Sequence, residues 1–171
     1  MKPVYLVMLA ALLSLSSAIA QEARSRIGVS SAAFQGGGTI PDRFTCKGAN
    51  TNPPLHFDGI PKNARSLVLL VDDPDAPGGL FNHWLVWNIA PATSQIAEKS
   101  VPAGAAQGEN DFGKIGYGGP CPPAGAHRYY FRVFALDQKL DLKSGAKRAA
   151  LDRALQGHVV ARGEMMARCS H

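Results

Sequence analysis

The chain has 171 residues, a formal net charge of +5, 46% hydrophobic and 18% charged residues, and 18 glycines with 12 prolines. That is enough for one ordinary domain. It is too apolar and too weakly charged for a disordered chain, and too weakly basic for nucleic acid to be the expected partner.

Residues 1–20 read MKPVYLVMLAALLSLSSAIA, with Lys2 the only charge, an apolar run from Val4 to Leu15, and Ala18-Ile19-Ala20 as a small-residue cleavage site. This pattern predicts a signal peptide that leaves Gln21 as the first mature residue and sends the protein to the periplasm or beyond. The run is short for a membrane span of ~20 residues, and Ser16 and Ser17 interrupt its end. Cleavage of 20 of the 171 residues leaves 151, and loss of Lys2 takes the charge from +5 to +4. Residues 21–171 are expected to form a single domain. An exported chain admits disulfides, and Cys46, Cys121 and Cys169 allow one bridge with one thiol left over. Spacing alone leaves open which two pair.

Glycine and proline punctuate the mature chain, and short runs of strand composition lie between them. Ser66 to Val71 is a continuous apolar run, as in a strand buried on both faces. His83 to Ile89 is rich in aromatic and β-branched residues, and Tyr129 to Leu136 is the strongest strand signal in the chain. One helix is predicted, Ala146 to Leu155. Its apolar stripe is Ala149, Ala150, Leu151, Ala154 and Leu155, its outward face is Lys147, Arg148, Asp152 and Arg153, and Gly157 follows as a C-terminal cap. Val159 to Arg168 suits a last strand, with Arg162, Glu164 and Arg168 on one face and Ala161, Met165 and Ala167 on the other. Many short strands with one late helix predict a mostly-β sandwich with small helical additions.

Four places concentrate polar groups in apolar or Gly/Pro surroundings. Asp72-Asp73-Pro74-Asp75-Ala76-Pro77 caps the most apolar strand. His83 opens an aromatic one. Gly116 to Pro123 is a loop with few side chains, and His127-Arg128-Tyr129 leads into the strongest strand. His127 and Tyr129 are two apart and share a face if extended. A protonated histidine with a tyrosine hydroxyl suits a phosphate or carboxylate oxygen, and a nearby aspartate would fix a histidine tautomer. His83, His127 and Asp73 are zinc ligands by type, but the chain has no short ligand pair, so no metal or other cofactor is expected. No G-x-S-x-G nucleophile elbow is present.

These stretches together resemble the phosphatidylethanolamine-binding proteins, also called Raf kinase inhibitor-like proteins, in their exported bacterial, YbhB/YbcL-like branch. The matching residues are Ile40-Pro41, Phe44-Thr45-Cys46-Lys47-Gly48 and Asn52-Pro53-Pro54-Leu55, then Asp73 to Pro77, Asn82 to Val86, Asn110 to Gly113, Gly116 to Pro123, and His127-Arg128-Tyr129. The resemblance implies a Greek-key β-sandwich with one small anion-accepting pocket. Its site residues here would be Asp73, Asp75, His83, Gly119, Pro123, His127 and Tyr129. His83 and Tyr129 would donate to the anion, Asp73 would orient a histidine, and the Gly119–Pro123 loop would offer backbone N–H groups. The resemblance also implies a Cys46–Cys121 disulfide with Cys169 free. The function expected is non-enzymatic binding of a small anionic ligand, a phosphate-like group or phospholipid headgroup, with no nucleic acid and at most peripheral membrane contact. The alternatives are an inhibitor of a protease or other protein, and a hydrolase using a pocket histidine as base.

Overall fold

The computed structural model describes residues 26–171. The expected signal peptide lies outside them. The strands are β1 (Gly28–Ser30), β2 (Leu55–Asp58), β3 (Ser66–Asp73), β4 (Phe81–Ile89), β5 (Gln95–Ile96), β6 (Ala106–Gln107), β7 (Ala126–Leu136) and β8 (Val159–Ser170). A 3-10 turn spans Asp42–Phe44, and one helix, α1, spans Arg148–Leu155. The strands form two antiparallel sheets, one in the order β1-β2-β5 and one in the order β6-β4-β3-β7-β8. This is the β-sandwich expected from the chain's many short strands.

The central strand, β3, is buried along its whole length. Its period-2 alternation supplies two cores. Leu67, Leu69 and Val71 face the small sheet with Trp84, Val86, Phe131, Val133, Phe57 and Leu55. Val68 and Leu70 face the opposite way with Leu85 and Trp87, and Leu151 and Leu155 of α1 cover them. β8 alternates as the sequence predicts, with Ala161, Met165 and Ala167 buried and Arg162, Glu164 and Arg168 exposed.

The helix begins two residues later than its apolar pattern suggests, and Lys147 supplies no side-chain cap. Its outward face also differs from the expectation. Arg148 turns in toward the large sheet, where its Nη1 donates to Asn82 Oδ1 at 2.6 Å, while Ala149 points to solvent. A buried carboxylate beneath the helix outweighs the solvation of one guanidinium (Arg148 Nη1 lies 3.4 Å from Asp72 Oδ2).

Leu69 is fully buried between the sheets. Leu69→Ala is expected to lower unfolding stability by about 3 kcal/mol through lost burial and a residual cavity. Denaturant unfolding measures this, and a loss below about 1 kcal/mol would mean that the inter-sheet core is not packed as described.

Candidate functional site

β3 ends in two adjacent aspartates, and the strand's alternation sends them to opposite faces. Asp73 follows Leu67, Leu69 and Val71 onto the sandwich side. On β7, His127 and Tyr129 share the face of Phe131 and Val133. Asp73 Oδ2 accepts a 2.7 Å hydrogen bond from His127 Nδ1, with both side chains almost wholly buried. A carboxylate only accepts, so this bond places the Nδ1 proton on His127. Asp73 Oδ1 accepts from the backbone N–H of Asp75 at 2.8 Å. Both carboxylate oxygens are thus held, and Asp73 is fixed by the turn it begins.

His83 reaches the same side through a β-bulge. The β3–β4 register pairs Val71 with Trp84 and Asp72 with Asn82, and passes over His83 between them. Counting back from inward-facing Trp84, plain alternation would send His83 outward and Asn82 inward. The bulge re-aims it. Its ring meets Tyr129 edge-on at 5.2 Å and stands beside Phe81 and Phe112. Its Nδ1 lies 2.7 Å from the Gly118 carbonyl, which only accepts, so Nδ1 carries the proton here too. Burial pushes the His83 pKa below 6.5, against the opposing pull of the Gly118 carbonyl and Asp73. The neutral ring therefore presents a lone pair at Nε2.

The Tyr129 hydroxyl is fully buried and makes no hydrogen bond of standard geometry among the described residues, although the Asp73 carboxylate and the Cys121 backbone lie near enough to act on it. Burial, then the nearby Asp73 charge, raises its pKa, so it is a protonated donor at any physiological pH. An unpartnered buried donor costs about 1–3 kcal/mol.

The remaining expected residues stand differently. Asp75 is taken by Arg128, whose Nη2 and Nε donate to it at 2.6 and 2.9 Å and whose backbone N–H donates at 2.9 Å. These bonds hold its pKa well below the usual carboxylate range. Asp75 is a brace between the β3–β4 turn and β7. Arg128, its partner, was not singled out from the sequence, although it lies within the His-Arg-Tyr motif. Pro123 is exposed on its loop. Of the backbone donors expected from Gly119 onward, the Gly119 N–H is already committed, while the Cys121 backbone lies beside the Tyr129 hydroxyl. The Gly119 N–H donates to Asn50 Oδ1 at 2.7 Å, and the Gly118 N–H donates to the His83 carbonyl at 2.9 Å.

Loop 116–121 is instead fastened to the segment after the 3-10 turn. Cys46 and Cys121 are joined in a disulfide with Cα atoms 5.4 Å apart, and Cys169 is free and buried. Cys46 N–H donates to the Pro120 carbonyl at 3.0 Å, and the Tyr117 hydroxyl donates to the Phe44 carbonyl at 2.8 Å. A Cβ on Gly119 would lie 2.5 Å from the Phe44 carbonyl oxygen, so this approach requires glycine. Among the described residues no group of three or more His, Cys, Asp or Glu side chains is placed to hold a metal ion.

A two-sheet antiparallel sandwich with paired histidines, a buried tyrosine and an aspartate turn at one strand end defines a class. The family model for phosphatidylethanolamine-binding protein matches residues 30–170. The chain is 50% identical over 135 residues to the UPF0098 protein PH1269 of Pyrococcus horikoshii, covering 74% of this chain and 68% of that one. It is 43% identical over 143 residues to a UPF0098 protein of Chlamydia trachomatis, covering 81% and 95%. Among solved structures, a phosphatidylethanolamine-binding protein homolog, CT736 of Chlamydia trachomatis, superposes with a TM-score of 0.81 at 42% identity, covering 84% of this chain and 97% of that one. E. coli YbcL, described as a member of the mammalian family, superposes at 0.80 with 32% identity, covering 85% and 99%. The chain belongs to the phosphatidylethanolamine-binding protein family.

The disulfide closes a long loop, its cysteines being 75 residues apart. Loop-closure entropy predicts that the paired Cys46→Ser, Cys121→Ser variant loses about 4 kcal/mol of stability. A thiol count on the unreduced, denatured protein is expected to give one, from Cys169. A count of three would remove the bridge.

Proposed function

We propose that the protein is an exported binding protein for a small oxyanion, a phosphate-like group free or carried on a phospholipid headgroup, and that it does no chemistry on it. The observation that carries this reading is the Tyr129 hydroxyl, a buried donor without a partner, edge-on to His83 and close to the Asp73–His127 pair. A buried donor left open is a cost to folding that an acceptor from outside would remove. Family membership supports the same reading. Binding without turnover is supported by the histidines' partners: among the described residues no Ser, Thr or Cys side chain is hydrogen-bonded to either ring. The apolar N-terminal run and the disulfide support export.

The histidine geometry gives the binding a sign with pH. His83 Nδ1–H is committed to Gly118, so the ring donates to an anion only by gaining a proton at Nε2. Burial opposes that proton in the empty protein, and a bound anion favours it. Binding therefore takes up a proton. Sulfate, whose charge is constant from weakly acidic to weakly basic pH, is expected to bind more weakly as pH rises. The loss approaches tenfold per pH unit between the His83 pKa of the empty protein and the higher one of the complex. An affinity constant across that range would sink the proton requirement. On the empty protein the sign reverses. Below 6.5 the unfolded chain takes a proton that folded His83 resists, so stability falls on acidification.

Sulfate or phosphorylethanolamine at ten times its Kd is expected to raise the Tm by roughly 4 °C. His83→Ala abolishes the shift, and Tyr129→Phe weakens binding roughly tenfold. Absence of any shift with either compound at millimolar concentration would overturn the binding function. Turnover in an esterase and phosphatase screen would replace it with the hydrolase.

A further inference from the structure

A concave surface lies on the other face of the large sheet, beside α1 and away from the histidines. It is a groove of about 890 Å³, within the size range of small-ligand sites. Phe134 and Val160 are half-buried in its lining and Val159 is exposed, while Arg26, Arg132, Arg148 and Arg162 all border it.

The four guanidiniums fall into two kinds. Arg132 and Arg148 are anchored from beneath by Asp72, a fully buried carboxylate. Arg132 also holds Glu164, and Arg148 holds Asp152. The sheet accounts for both. Arg26 and Arg162 have no carboxylate partner among the described residues. They stand side by side in a parallel backbone bridge, with Ile27 N–H donating to the Arg162 carbonyl at 3.0 Å. Gly163 makes this approach feasible, because a Cβ there would lie 1.8 Å from the Ile27 carbonyl oxygen. The fold thus brings together, at the edge of an apolar lining, two cations without a carboxylate partner among the described residues, and like charges repel.

We propose that this groove binds a small amphipathic organic anion. The oxyanion head would be gripped by Arg26 and Arg162, and the apolar part would lie on Phe134, Val159 and Val160. Charge complementarity selects the occupant. Planar guanidinium forks match the two oxygens of a carboxylate or phosphate, and the adjacent apolar surface rewards a ligand that carries hydrocarbon beyond its head. Arg132 and Arg148 add positive potential but keep their internal partners. The site is separate from the histidine–tyrosine cluster and does not depend on it.

Octanoate is the probe, with acetate as the head without the tail, titrated into the purified protein by calorimetry. Octanoate is expected to bind saturably and at least tenfold more tightly than acetate, and the Arg26→Gln, Arg162→Gln double variant is expected to lose at least tenfold. Val159→Asp loses affinity as well, while His83→Ala keeps it. Arg26 and Arg162 are exposed, so the double variant is expected to unfold at the wild-type midpoint, which separates lost binding from lost folding. The proposal is overturned by octanoate that fails to saturate up to about 10 mM, by a double variant that binds as the wild type does, or by binding that disappears with His83→Ala.

Discussion

The complete burial of β3 on both faces is the constraint from which the rest follows. A strand in the middle of a sheet, covered by a second sheet on one side and by a helix on the other, can carry no solvated polar side chain along its length. Its polar groups are deferred to its end, where Asp72 and Asp73 are adjacent and face opposite ways. Each enters a different environment and demands a different partner. Asp73 takes His127 and the turn backbone. Asp72 takes Arg132 and Arg148, which lie over the outer face, and burial still outweighs them in pushing its pKa up. The histidine–tyrosine cluster on one side and the arginine-bordered groove on the other both descend from two residues at the tip of one strand.

Sequence reasoning recovered what periodicity encodes. β3, β7 and β8 have long alternating or continuous apolar patterns, and the structure contains them with extended ends. The short strands β1, β5 and β6, with two or three residues each, are too brief for any period to register, and tertiary pairing alone defines them. The same boundary runs through the site. His127 and Tyr129 share a face by simple counting. His83 joins them only because the β3–β4 register slips at that residue, and no alternation rule foresees a bulge. Arg148 sits on the polar side of a helical wheel and still turns inward, because the wheel does not know that Asp72 lies beneath.

The loop carrying Gly118 and Gly119 shows why its small residues matter in a way composition could not reveal. It contributes close approach. Asn50, itself in the left-handed region at φ 56°, turns its amide oxygen to the Gly119 N–H, while the disulfide and the Tyr117–Phe44 bond fasten the two segments on either side. The Gly119 donor is spent on this junction. What remains directed elsewhere is the Gly118 carbonyl, which sets the tautomer of His83. The loop therefore acts on the site through this acceptor at His83 and through the Cys121 backbone beside Tyr129, and the disulfide fastens the segment that carries both.

That arrangement leaves the protein carrying costs that folding alone does not explain. A neutral histidine is buried with one ring nitrogen committed, and a tyrosine hydroxyl is buried with none of its hydrogen bonds made. A phenylalanine at position 129 would fill the same space without an orphan donor, and an apolar side chain at 83 would spare the bulge a polar ring. Apart from Thr51 Oγ1, buried polar side chains elsewhere find partners, such as Ser66 with the Gln138 carbonyl, Asn52 with two carbonyls and an amide, and Asp72 with two arginines. An unpaired donor and a buried polar ring side by side put the local chemistry at odds with stability at that point. Such disagreement between levels is the physical mark of a site shaped by something other than folding.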